Sequence, residues 1–509
     1  MDKRGSAPSP TWSQHPAVHE LNTAVWLHEV SRRAGRLVML GDVPDHEWDA
    51  VLPAGIDVVW LMGIWERSEV GRQVALGETS LRESWTDALR DWTEADVLGS
   101  PYSIREYVPA QAFGGWDGVD AARAQVGRRG ANLMVDWVPN HTGPDSPWIA
   151  SSQDAFVSGT ADDLAADPAA FIQLGDTVLA RGRDPYFAPW PDVVQLDPFS
   201  ATCRGLAVEE LRRIAEHVDA VRCDMAMLML DDIALRTWGQ RLGAPPERGY
   251  WDDVIMAVRS SHPDFRFVAE TYWDREPDLL AAGFDHCYDK RLYDRLTHEG
   301  PDAVRDHLRA DRDYQRGMVR FLENHDEPRA ASTFGPPARY KALATAIATL
   351  PGMTLWHDGQ AEGRTTFLPV FLGRRPDEAP DADLASFHAR LWGVAAAVRN
   401  GAWSLCEVTG WPDNGSAAAL VAWQWSDSVG HTLVVVNLHG EPADGMAHLD
   451  VAAGTHGLHV DLLTGARYPF LGDAVAAQGL YIGLPGWGAQ ILSARREHTG
   501  GDEAASSST

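Results

Sequence analysis

Apolar residues in this chain come in two rhythms: short, near-continuous runs of strand length, and longer stretches spaced at three and four. The run Ile56-Asp-Val-Val-Trp-Leu-Met62 is of the first kind, and its lack of alternation predicts a parallel strand covered on both faces. Residues 116–130 are of the second kind, a helix with Gly130 near its C-terminal cap that feeds an apolar run beginning at Leu133. Residues 205–218 repeat the helical spacing, with Leu211, Ile214, Ala215 and Val218 on one face, and lead into another run at Asp219. Thr23-Ala-Val-Trp-Leu-His-Glu29 reads as the first strand, Phe284-Asp-His-Cys-Tyr288 as a later one and Met353-Thr-Leu-Trp356 as the eighth. Residues 340–350 read as a helix that stops at Pro351-Gly352, and Leu384, Phe387, Leu391, Val394 and Val398 line a last one. Strand, helix and strand in this order predict an α/β fold, a (β/α)8 TIM barrel.

Two segments break the rhythm, and a third lengthens it. Between His141 and Arg204 the chain turns to Gly, Pro, Asp and Trp, which reads as a subdomain inserted after the third strand. After Asn400-Gly401, strand-like segments at 419–425, 431–437, 458–463 and 489–493 are separated by Gly, Asp and Ser turns, predicting a C-terminal antiparallel β-sandwich. A long loop rich in charge and tryptophan is expected after the second strand, delivering Gly99-Ser-Pro-Tyr102. The expected division is therefore a Pro/Ser-rich, disordered arm over 1–20, a barrel over 21–141 and 205–400, an insertion over 142–204, a sandwich over 401–496 and a disordered tail over 497–509.

Composition narrows the function. A formal charge of −28 argues against nucleic acid or an anionic membrane as partner, because phosphates would be repelled. No apolar run approaches the length of a membrane helix, and no apolar segment or cleavage pattern follows the first basic residues, so a soluble, cytoplasmic protein is expected. Four scattered cysteines without paired spacing fit reduced thiols. The 21 tryptophans exceed ordinary use; most are assigned to packing and a few to stacking on sugar faces.

The chemistry lies at the ends of four apolar runs. In Asp219-Ala-Val-Arg222-Cys-Asp224, strand alternation puts Arg222 and Asp224 on one side, where two buried charges must pair or face a polar cavity. Leu133-Met-Val-Asp136-Trp-Val-Pro-Asn140-His141, Phe265-Arg-Phe-Val-Ala-Glu270-Thr and Met318-Val-Arg-Phe-Leu-Glu-Asn324-His325-Asp326 share the form. Polar residues at the C-terminal ends of parallel strands are where a barrel carries its catalytic groups. Clustered metal ligands and a P-loop are both missing, and Gly114-Gly115 is loop punctuation.

These four stretches, in this order and spacing, resemble the four sequence regions of the α-amylase family of glycoside hydrolases (family thirteen), over roughly residues 22–495. The resemblance implies a retaining α-glycosidase or transglycosidase acting on α-glucans or maltooligosaccharides through a covalent glycosyl-aspartate. Asp224 would be the nucleophile, Glu270 the acid/base and Asp326 the acid that grips the sugar and stabilises the transition state. His141 and His325 match the two sugar-binding histidines, Tyr102 the aromatic platform, and Arg222 the arginine beside the nucleophile. Asp136 matches a structural acid, and Asn140 a position that often ligates calcium; no cofactor is required, with calcium a candidate at Asn140. Apolar surroundings are expected to raise the Glu270 pKa, and Arg222 to hold Asp224 ionised.

The chain also departs from the family. Met227 and Leu228 stand where many members carry Lys and His toward the leaving group, and Gly99 stands where terminal-glucose binders often carry Asp. Two alternatives stay open: a storage-sugar glucanotransferase or isomerase of glycogen or trehalose metabolism, and a non-catalytic carbohydrate-binding barrel. The expected partner is a carbohydrate substrate, and the sequence does not fix the oligomeric state.

Overall fold

A computed structural model describes residues 11–451 and 455–495. The first ten residues of the expected arm and all of the expected tail lie outside the described residues. One compact unit runs to residue 297 and includes Asp311–Gly335 and Pro351–Trp392; the second comprises His298–Ala310, Pro336–Leu350 and the chain from Gly393.

The first unit is a closed barrel of eight strands: β1 (Ala17–Asn22), β2 (Val58–Met62), β3 (Asn132–Trp137), β4 (Ala220–Cys223), β5 (Arg266–Ala269), β6 (His286–Tyr288), β7 (Met318–Arg320) and β8 (Met353–His357). Every neighbouring pair is parallel, and β1 closes the ring, with Val18 paired to Val58 of β2 and to Leu355 of β8. Seven strands fall on the expected runs; the first does not. Residues 23–29 begin the helix Thr23–Ala34 instead, because Trp26, Leu27 and Val30 recur at helical spacing. Asn22 caps that helix, its Oδ1 accepting from the Val25 N–H at 3.3 Å, and Gly35 ends it at φ 65°. β1 is the preceding Ala-Val-His-Glu-Leu-Asn, whose polar residues hide it from a reading by hydrophobicity.

The long loop after β2 is more ordered than expected. It carries the helices Glu69–Gly77 and Thr79–Ala88 and a short antiparallel pair, Trp65–Arg67 with Ile104–Pro109. The stretch after β3 holds only small elements, including a three-stranded sheet of Ser158–Gly159, Phe171–Leu174 and Thr177–Ala180. Val157, Phe171 and Val178 share a cluster with Ala234 and Trp238, so this stretch packs on the helix Asp231–Trp238 that follows β4.

In the second unit, a six-stranded antiparallel sheet and a three-stranded one share a core of Leu420, Leu433, Val435, Ile482 and Leu484. The helix Pro337–Thr349 belongs to this unit, and the indoles of Trp423 and Trp425 donate to Thr349 O at 3.2 and 2.8 Å. Eight of the tryptophans are fully buried, consistent with packing as their main use. All four cysteines are free and buried.

Candidate active site

Four strand ends bring the sequence-marked side chains together at the C-terminal end of the barrel. Arg222, on β4, is fully buried and faces Asp136 of β3 across the ladder. Its Nη1 donates to Asp224 Oδ1 at 2.8 Å, and its Nη2 makes an ion pair with Glu270 Oε2 at 2.9 Å. One guanidinium therefore spans the two carboxylates expected to react. Its carbon Cζ sits 5.3 Å from the ring centres of Trp60 and Tyr102 and 5.7 Å from Tyr288, so aromatic faces rather than water surround the cation.

Beyond β4 the chain turns sharply. Met225 takes a left-handed conformation, φ 43°, which non-glycine residues adopt at a cost of about 1 kcal/mol or more. The turn aims its N–H at Glu270 Oε2, at 2.6 Å. Tyr272 Oη donates to Glu270 Oε1 at 3.0 Å. Neither Met225 nor Tyr272 is marked in the sequence reading, and a main-chain donor leaves no sequence signal.

On the opposite side, Asn324 Oδ1 accepts from the N–H groups of Asp326 and Glu327, both at 2.9 Å, and shapes the turn after β7. His325 is buried, with Nε2 3.0 Å from Asp326 Oδ2 and 2.6 Å from Tyr102 Oη. The Tyr102 ring stacks on the imidazole, with centroids 5.4 Å apart. Nδ1 of His325 is held by Glu20 of β1, a fully buried carboxylate that sequence reasoning missed because β1 was placed one segment too late. His141 is buried beside Trp190, and Asp136 accepts from the Gly63 N–H at 2.8 Å.

Electrostatics separate these groups. Burial, reinforced by Asp224 and Asp326, pushes Glu270 up to about 7 against the pull of Arg222. Burial also raises Asp224, outweighing Arg222, against the expectation that Arg222 holds it ionised. Burial likewise pushes Asp136 up to about 7 and His141 down to about 4. For His325 desolvation opposes the charge, but Asp326 and Glu20 overcome it and hold the ring protonated well above its usual range. Asp326 differs from the other two acids, with 46% of its side chain exposed; His325 overcomes desolvation and keeps it below the ordinary carboxylate range.

The fold has known relatives. No family model matches the chain. Over 313 residues it is 22% identical to α-amylase 3 of Dictyoglomus thermophilum, a match spanning 57% of this chain and 59% of that protein. Its fold aligns with the maltogenic α-amylase AmyB of Thermotoga neapolitana at TM-score 0.67 and 18% identity, covering 95% of this chain and 99% of that one. The acarbose complex of the Geobacillus thermoleovorans α-amylase aligns at TM-score 0.66 and 16% identity, covering 96% and 99%. The chain has the fold of these α-amylases.

The departures from the resemblance gain a physical reading. Met227 and Leu228 lie in the buried turn Ala226–Met229. Gly99 has φ 85°, and a Cβ there would meet the Arg72 side chain at 3.1 Å, so backbone geometry keeps the position glycine. The residues around Asn140 do not fit calcium. Asn140 Oδ1 accepts from Gln195 Nε2 at 2.9 Å, so the oxygen it would offer a cation is already engaged. Asp184, an acid of the inserted stretch and a candidate partner to Asn140 there, has Oδ1 accepting from the N–H groups of Tyr186 and Phe187, at 2.6 and 2.9 Å. Among the described residues no group of three His, Cys, Asp or Glu side chains could hold a metal.

Proposed function

We propose that the chain is a retaining α-glycosidase or transglycosidase of α-glucans and maltooligosaccharides. The observation that carries this reading is the single guanidinium of Arg222 bound to both Asp224 and Glu270. It ties the two carboxylates of adjacent strands into one cluster, as expected where retention needs a nucleophile and an acid about 5 to 5.5 Å apart. The maltogenic and acarbose-bound relatives point to the same substrate class.

In this mechanism Glu270 enters protonated, which burial favours, and gives its proton to the glycosidic oxygen as the bond to the anomeric carbon breaks. Asp224 supplies the electron pair that forms the glycosyl ester, and Arg222 neutralises the charge left on the cluster. Asp326, ionised and open to the cleft, takes sugar hydroxyls together with protonated His325 and neutral His141. Glu270, now a carboxylate, then removes a proton from water or from a sugar hydroxyl, whose oxygen attacks the anomeric carbon and breaks its bond to Asp224, releasing that side chain as a carboxylate. A small pocket beside His325 is walled by Arg329, Asp358, Arg375 and Glu378.

Maltoheptaose turnover followed by proton NMR tests the proposal. An α-anomer as first product is the expected result. A first-formed β-anomer would remove the covalent intermediate, and no turnover of any α-linked glucan would remove the function. Longer oligosaccharides among the products would assign transfer, and shorter ones alone hydrolysis.

A further inference from the structure

The second unit presents a pair of aromatic rings that its core does not use. Trp411 is 41% and Tyr481 59% exposed, and their ring centres lie 6.3 Å apart at an interplanar angle of 46°. Large rings so open to water invite an explanation when they lie side by side.

The local fold holds the pair in place. Strands Ala443–Ala447 and Leu480–Leu484 pair so that Met446 lies opposite Tyr481, and Asp444 opposite Gly483. Alternation buries Ala443, Ala447, Ile482 and Leu484, which leaves Tyr481 and Asp444 on the outer face. The Tyr481 hydroxyl donates to Asp444 Oδ1 at 3.0 Å. To do so the side chain passes over Gly483, where a Cβ would lie 3.0 Å from the hydroxyl and 3.1 Å from the carboxylate. Glycine at 483 thus lets the ring lie along the sheet instead of standing off it. Asn414 Nδ2 reaches the other Asp444 oxygen at 3.4 Å, and Trp411 is bridged to Asn414 across the same turn.

We propose that Trp411 and Tyr481 form a surface site for an α-glucan chain, separate from the residues assigned to catalysis. The proposal rests on the function proposed above for its choice of glucan. A sugar ring offers C–H faces to aromatic planes and hydroxyls at its rim, and here two planes are edged by a carboxylate and an amide. The Tyr481 ring is held by its hydrogen bond before binding, so little of its side-chain freedom is lost on contact.

Native electrophoresis in gels containing glycogen tests this with the full chain carrying Asp224→Asn, so that the polymer is not consumed. The Trp411→Ala/Tyr481→Ala double variant should lose roughly tenfold in glycogen affinity, the combined contribution of two stacked rings. With Asp224 intact, the same pair should leave maltotriose turnover and thermal stability unchanged. Trp411→Tyr, which keeps a ring, should restore most of the retardation. Unchanged glycogen affinity in the double variant overturns the site while leaving the enzyme intact. Self-association that vanishes in the double variant would give the rings to a second copy of the chain and also overturn it. Absence of both glycogen binding and turnover would instead strike the proposed function itself.

Discussion

Glu270 and Glu323 in the barrel are buried acids pushed up to about 7, each beside an arginine, Arg222 and Arg329. His431 and His459 in the second unit are histidines pushed down by burial, with Nε2 atoms 2.9 Å apart. Desolvation acts on both places in the same sense, toward the neutral form. The barrel opposes it with placed cations and keeps part of its charge, whereas the second unit yields and packs neutral imidazoles beside Phe470. A charge held against burial needs partners built around it, and such partners mark the barrel centre as the place where charge has a use.

The largest expected effect removes the barrel's charge pattern at its source. Asp224→Asn should lower kcat by about 10⁴-fold or more, with sugar binding retained by calorimetry. Glu270→Gln should lose about 10² to 10⁴-fold. It should also erase an alkaline limb near pH 7: Glu270 must carry a proton to act, so activity falls as pH rises through its raised pKa. A wild-type profile flat from pH 5 to 9 would break the contrast drawn here.

Next in size is Glu20→Gln. Losing one of the two acids that hold His325 protonated should cost roughly tenfold in kcat/KM and bring a new alkaline limb into the measurable range, with Glu20→Asp restoring part of it. An unshifted profile would reduce Glu20 to packing.

Two smaller effects concern stability. Gln195→Ala strands the buried Asn140 amide and should cost about 1–3 kcal/mol in denaturant unfolding, while a chelator should leave the wild-type transition where it is. A chelator-induced fall would return calcium to Asn140. For His459, whose folded pKa is about 4 against an ordinary value of 6.5, the unfolded chain takes up a proton that the folded one refuses. Stability should therefore drop as pH falls from about 6.5 toward 4, and His459→Gln should flatten that slope in thermal scans.

Much of this was legible in the residues themselves. Continuous apolar runs marked seven of the barrel strands, and the polar residues that end them marked Asp136, Asp224, Glu270 and Asp326, because a charge inside such a run needs a physical reason. β1 was not legible: its His, Glu and Asn look like loop, while the helix after it looks more apolar. That displacement concealed Glu20. Gln195 was hidden for another reason, since it meets Asn140 from 55 residues away and only the folded insertion brings the two amides together.

The left-handed turn at Met225 decides something that no side chain at that position can alter. With the Met225 amide pointing at Oε2 of Glu270 and the Arg222 cation beside the same atom, Oε2 is held as an acceptor, and a proton on Glu270 would sit on Oε1, with the Tyr272 hydroxyl, a donor to the carboxylate, turning to accept. The donor's direction is thus written into main chain. An alanine scan would pass over residue 225 without noticing, and only proline, which lacks the amide hydrogen, would expose it.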